Sequence, residues 1–197
     1  MRVRRLTDED GIALVVTLMA TTLLLALSAA LVLLTTTETR VVANAHDGVE
    51  AFNAADSAVA LAVSELRRAA DWSGVLAGST TSALTDGLPS GQRTLADGDL
   101  IDLDAERPTD NSGMPWRLYA YGILAAWAPG TAVNPRIYVA VWLRGDPGDD
   151  LTTLTALGRA YGPQHARRSV AVAIRRPPML TLPAVEVPIE RLSWDER

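Results

Sequence analysis

From Ile12 to Leu34 the chain runs without a charged residue, a glycine or a proline. No other feature constrains the fold as much. A helix of that length rises about 35 Å, enough to cross the hydrocarbon core of a bilayer with some tilt. Thr17, Thr21, Thr22 and Ser28 interrupt the apolar character, but hydroxyls in a helix bond back to the preceding turn and tolerate burial in lipid. Arg2, Arg4 and Arg5 precede the run, while Glu38 and Arg40 follow it and nearly cancel. The positive-inside bias therefore predicts a single-pass anchor of the inner (cytoplasmic) membrane, with the N-terminus inside and the C-terminal domain outside. Asp8, Glu9 and Asp10 dilute the basic flank, but acidic residues count little in that rule. Two other readings stand beside a permanent anchor with a further role. One is a secretory signal cut near Ser28-Ala29-Ala30, although the apolar run continues to Leu34; the other is a plain signal anchor.

The remaining chain has room for one domain. With 197 residues and a net charge of −5, nothing marks a polyanion binder, and the basic residues, all arginine, are scattered or paired rather than gathered on one face. Nucleic acid is not an expected partner. The absence of cysteine excludes disulfides, thiolate nucleophiles and thiolate metal sites, so an exported domain must be stabilised by its core.

Beyond the anchor the sequence stays helix-like to about Ala70. Phe52, Ala55, Val59, Ala62, Val63 and Leu66 recur at three- and four-residue spacing, and Glu50, Asn53, Ser57, Ser64, Glu65 and Arg68 fall opposite. This is an amphipathic helix, with Phe52, Val59, Val63 and Leu66 expected to pack on a sheet.

Gly11 separates the charged leader from Ile12-Ala13-Leu14-Val15-Val16. This junction resembles the class III signal of type IV pilins and type II secretion pseudopilins. Asn44 and the run Ala51-Phe52-Asn53-Ala54-Ala55-Asp56-Ser57-Ala58 resemble the N-terminal segment of PilX-like minor pilins. The resemblance implies cleavage after Gly11 by a membrane prepilin peptidase and methylation of Ile12. It also implies a helix, carrying Ile12, Leu14, Val16, Leu18, Leu23, Leu27, Leu31 and Leu34, that serves both membrane and filament. A small residue at the cut suits a protease that must approach the backbone closely. Other pilin or pseudopilin subunits, the bilayer and the peptidase are the implied partners. Major pilins usually carry a glutamate where this chain has Val16. A carboxylate in hydrocarbon is costly and marks function, so its absence implies a minor subunit, at the filament tip or in the initiating position, that need not dock onto a subunit ahead of it.

The soluble part reads as α+β and pilin-like, a long N-terminal helix packed on a small antiparallel sheet. The expected organisation is a leader at 1–11, a transmembrane helix at 12–34, its amphipathic continuation at 35–71, an irregular region at 72–115, the sheet at 116–176 and a proline-containing tail at 177–197. Strands are predicted at Trp116–Ala126, Arg136–Arg144, Leu151–Tyr161 and Arg168–Arg175, with a short one near Leu100–Leu103. In the segment from Arg136, Ile137, Val139, Val141 and Leu143 alternate with Tyr138, Ala140 and Trp142, which predicts a strand covered on both faces. Turns are expected at Asp146–Asp150 and Gly162–His165, and short connections favour a meander. The tail, ending Leu192-Ser193-Trp194, wraps the domain or adds an edge strand.

No chemistry stands out. His46 and His165 are not spaced as a ligand pair, and neither a nucleophile elbow nor a phosphate loop is present. Asp97, Asp99, Asp102, Asp104 and Glu106, and separately Asp146, Asp149 and Asp150, offer the hard oxygens that suit Ca²⁺, but in no EF-hand spacing. Solvated turn carboxylates are the simpler reading. The five tryptophans read as packing residues. The expectation is a structural subunit without catalytic residues, metal or cofactor. A type II secretion pseudopilin, or a signal-anchored envelope protein with a partner-binding domain, remain the alternatives.

Overall fold

The computed structural model describes residues 8–69, 72–110, 113–130, 133–146, 152–176 and 190–196, with side chains from residue 11 to 176 in those ranges. The basic leader residues, most of the Asp146–Asp150 turn and much of the proline-containing tail lie outside them. The chain divides into two compact units, 1–45 and 46–197, and helix α1 (Asp8–Arg68) runs through both.

In the first unit α1 stands without a tertiary core. Its 18-residue apolar window has a mean hydropathy of 2.3, and none of it is buried. The threonine and serine hydroxyls turn inward to their own helix: Thr17 donates to the Ala13 carbonyl at 2.6 Å, Ser28 to Leu24 at 2.8 Å and Thr35 to Leu31 at 2.9 Å.

The second unit is α+β. Its main sheet is an antiparallel meander in the order β3 (Arg117–Ile123), β4 (Tyr138–Gly145), β5 (Thr153–Tyr161), β6 (Arg167–Arg175), β7 (Glu190–Glu196). The end of α1 lies on one face. There Ala51, Ala54, Ala55, Ala58, Val59, Ala62 and Leu66 meet Val139, Val141, Leu154, Ala156, Val170, Val172 and Ile174. So many alanines let the helix lie close to the strands, and β5 answers with Gly158. A Cβ there would lie 2.5 Å from Val59 Cγ2 and 2.8 Å from the Ala55 carbonyl oxygen, distances at which no side chain fits without displacing the helix.

The helix ends where its last carbonyls find other donors. Leu66 O accepts from Trp72 Nε1 at 3.1 Å, and Ala69 O from Arg176 Nη2 at 3.2 Å. Four-residue spacing can no longer supply those bonds at a C-terminus.

The second face of the sheet is covered by the segment between helix and sheet. Ile101, Leu103 and Trp116 pack there on Tyr121, Tyr138, Trp142, Leu157 and Tyr161. Residues 72–115, expected to be irregular, in fact hold a short helix α2 (Ser73–Ala77) and a hairpin of β1 (Gln92–Thr94) and β2 (Leu100–Asp102). The strand expected near Leu100 is present, but its partner around Arg93 carries no periodic signal. The strand expected to reach Ala126 stops at Ile123, where the chain turns into α3 (Leu124–Trp127). The sheet extends beyond 176 because the tail returns as β7. Between β5 and β6 the turn places Gln164 and His165 at φ +55° and +61°, a hairpin geometry usually given to Asn-Gly.

Candidate functional site

The sequence-predicted site residues fall into two groups. Ile12, Leu14, Val16, Leu18, Leu23, Leu27, Leu31 and Leu34 all lie on α1 in the first unit and are 56% to 74% exposed. A run of large apolar side chains left open to this extent is not a water-facing surface. It suits lipid or other helices. Gly11 has open space where a side chain would project, and Val16 is 59% exposed. Of the second group, Val59 and Leu66 are fully buried in the helix–sheet core, and Phe52 and Val63 are partly buried against it.

The carboxylates of the first loop considered for Ca²⁺ are engaged with protein groups. Asp97 and Asp102 accept backbone N–H groups of their own turns, from Asp99 at 3.2 Å and Asp104 at 2.9 Å. Asp104 accepts from the Gly91 N–H at 3.1 Å and pairs with Arg107 at 3.3 Å. Asp99 lies 2.6 Å from Nδ1 of His165. His46 is exposed on α1. Among the described residues no three or more His, Asp or Glu side chains gather as a metal cluster; Asp149 and Asp150 lie outside the described residues.

Glu106 plays a different part from the one its sequence neighbours suggested. It reaches over the second face of the sheet, where Oε2 accepts from Arg159 Nη1 at 2.6 Å and Tyr161 Oη at 3.2 Å, while Oε1 lies 2.7 Å from Arg167 Nη2. Two further acids fasten the same covering segment. Asp110 accepts from Trp116 Nε1 at 2.9 Å and pairs with Arg144, whose guanidinium lies 4.8 Å from the Trp116 ring. Asp86 pairs with Arg93 at 3.2 Å and accepts from Tyr138 Oη at 3.1 Å. The chain order of these acids and arginines shows no local spacing by which they could be paired.

The buried phenols respond to this setting. Burial pushes Tyr161 up from the ordinary tyrosine value, and the charge of Glu106 adds to it. Burial raises Tyr138, with Asp86 adding, and Tyr119, with Glu65 adding. An acid whose folded pKa is raised stays protonated while the unfolded chain ionises. Its stabilising contribution is complete below the unfolded value of about 10 and is lost as pH rises beyond it. Urea midpoints should accordingly fall steeply above pH about 10, and Tyr161→Phe should flatten that slope whatever it does to the midpoint at neutral pH. An equal slope for the variant would disprove the assignment.

A cavity of about 520 Å³ lies between β3 and residues 75–89. It contains no nucleophile–base arrangement. Residues 10–60 of the chain, 51 of its 197, match the PilX N-terminal family model. Comparison with curated proteins and with solved structures gives no match.

Proposed function

From its PilX N-terminal segment, we propose that this protein is a minor pilin-like structural subunit that takes part in type IV pilus assembly, at the filament tip or in the initiating position. The observation that supports it is a charged leader and Gly11 followed directly by an exposed apolar helix that continues, as α1, into the packed helix of a small α+β domain. In this reading Ile12–Leu34 spans the cytoplasmic membrane with the N-terminus inside, and the C-terminal domain lies outside. Prepilin peptidase removes residues 1–11, and Ile12 becomes the methylated N-terminus. The helix then leaves the bilayer for a filament, exchanging lipid contacts for helix–helix contacts. Val16 gives the subunit no carboxylate to pair with the N-terminal ammonium of a neighbour, which favours a first or terminal position.

N-terminal mass spectrometry of protein extracted from membranes with active peptidase tests this. The expected product begins at methylated Ile12, and Gly11→Leu should leave Met1 at the N-terminus, because the bulky side chain blocks approach to the bond. A wild-type protein that retains Met1 would sink the proposal, and a start near Ala30 would make the chain a secreted protein instead. Wild-type subunits labelled along the whole shaft of a filament would rule out the terminal position.

A further inference from the structure

We propose that the first half of β3 is a docking edge for an extended, acidic stretch of another polypeptide, which adds there as a strand. The main sheet has two edges, β3 and β7. β7 reads Glu190-Arg191-Leu192-Ser193-Trp194-Asp195-Glu196, the charge-rich composition by which edges are kept from pairing. β3 has a single charged residue, Arg117. Among the described residues its outer side is met only near its end, where Leu84 O accepts the Tyr121 N–H at 2.9 Å and Thr85 bridges Tyr121 in parallel. The covering segment then diverges. Among the described residues no strand pairs with Arg117, Leu118 or Tyr119 from that side. This leaves about 10 Å of edge at the rise of a strand. A β-bulge lies in the same stretch, between Leu118 and Ala120, and bulges at edges are commonly placed where a site re-aims its side chains.

The gap is the cavity of about 520 Å³, whose lining includes Thr80, Thr81, Trp116, Tyr119 and Tyr121. Its charge is one-sided: among the described residues Arg107 and Arg117 line it, and no Asp or Glu does. Arg107 is paired with Asp104. Arg117 has no acidic partner among the described residues, yet its guanidinium has a prepared seat. It lies over Gly78, where φ is +80° and a Cβ would come within 2.5 Å of Nη1. A free guanidinium beside an open strand edge is complementary to a strand carrying a carboxylate. The edge supplies main-chain hydrogen bonds, and the arginine and the aromatic wall select the side chains.

The test uses the full chain in detergent micelles and a capped peptide Thr-Val-Glu-Val-Thr, read by amide hydrogen exchange. Exchange should slow at residues 117–119. Arg117→Glu, which retains its own urea midpoint because the side chain is exposed, should weaken the peptide at least about tenfold. The same peptide with Lys in place of Glu, or with an N-methylated backbone, should give no protection. Absence of protection at any peptide concentration overturns the proposal, as does protection that Arg117→Glu leaves unchanged. Equal binding by free glutarate or by the N-methylated peptide would make the cavity an anion pocket and not a strand site. Nothing in this readout involves a filament, so its failure and that of processing at Ile12 are separate results.

Discussion

Gly158→Ala is expected to cost the domain about 3 kcal/mol, at the upper end of what one added methyl causes in a packed core. Gly158→Leu should prevent residues 46–197 from folding. The reason is what lies opposite. Of the two atoms an added Cβ would meet, Val59 Cγ2 could move aside by a rotamer change, but the Ala55 carbonyl oxygen is helix backbone. Relief would require α1 to lift from the sheet and open gaps along the row of alanines. Urea denaturation of the full chain in detergent, followed by tryptophan fluorescence, measures the effect. Val59→Ala in the Gly158→Ala background should recover only part of the loss, because the carbonyl remains. A Gly158→Ala protein with the wild-type midpoint would show that helix and strand are not in such close contact.

Glu106→Ala should be nearly as damaging, at about 3 kcal/mol, because it strands a partly buried guanidinium. The carboxylate and Arg159 are only 15% and 20% exposed, whereas Arg167 is 52% exposed. The two arginines should therefore couple unequally. A double-mutant cycle with Arg159→Met should give an interaction of at least about 1 kcal/mol, and one with Arg167→Met a few tenths, as for exposed pairs. Equal couplings would mean that burial does not set the strength of these links. Hydrogen exchange should also show the β1–β2 hairpin opening in Glu106→Ala while the helix–sheet core stays protected.

What could be read from the sequence was whatever has a period or a boundary. The run Ile12–Leu34, the stripe through Val59 and Leu66, and the double alternation of Ile137–Leu143 each report a face, and they carry the α+β architecture between them. Gly11 and the segment to Ala58 carried the family resemblance. The hairpin at Gln92–Asp102 escaped because its strands are three residues long, too short to show a period. β7 could be left only as one of two options, since Pro183 and Pro188 precede it and its pairing partner lies in β6. Gly158 looked like one more strand residue. Its role depends on a helix about a hundred positions earlier, and no local pattern encodes that distance. Glu106 stood in a row of acids and read as one of them. Its partners at 159 and 167 become neighbours only when the meander brings β5 and β6 side by side.

The two coverings of the central sheet differ in physical kind. α1 is held on one face chiefly by alanine and valine contacts, with Glu50 linked to Asn134 and Glu65 to Ser82 at its flank, whereas the other covering adds to its apolar contacts a set of acids paired with arginines. Apolar contact weakens on cooling and is reinforced by excluded salts, while partly exposed ion pairs are screened as ionic strength rises. Raised ionic strength should therefore loosen the second covering more than α1, whereas cooling acts on the apolar contacts beneath both.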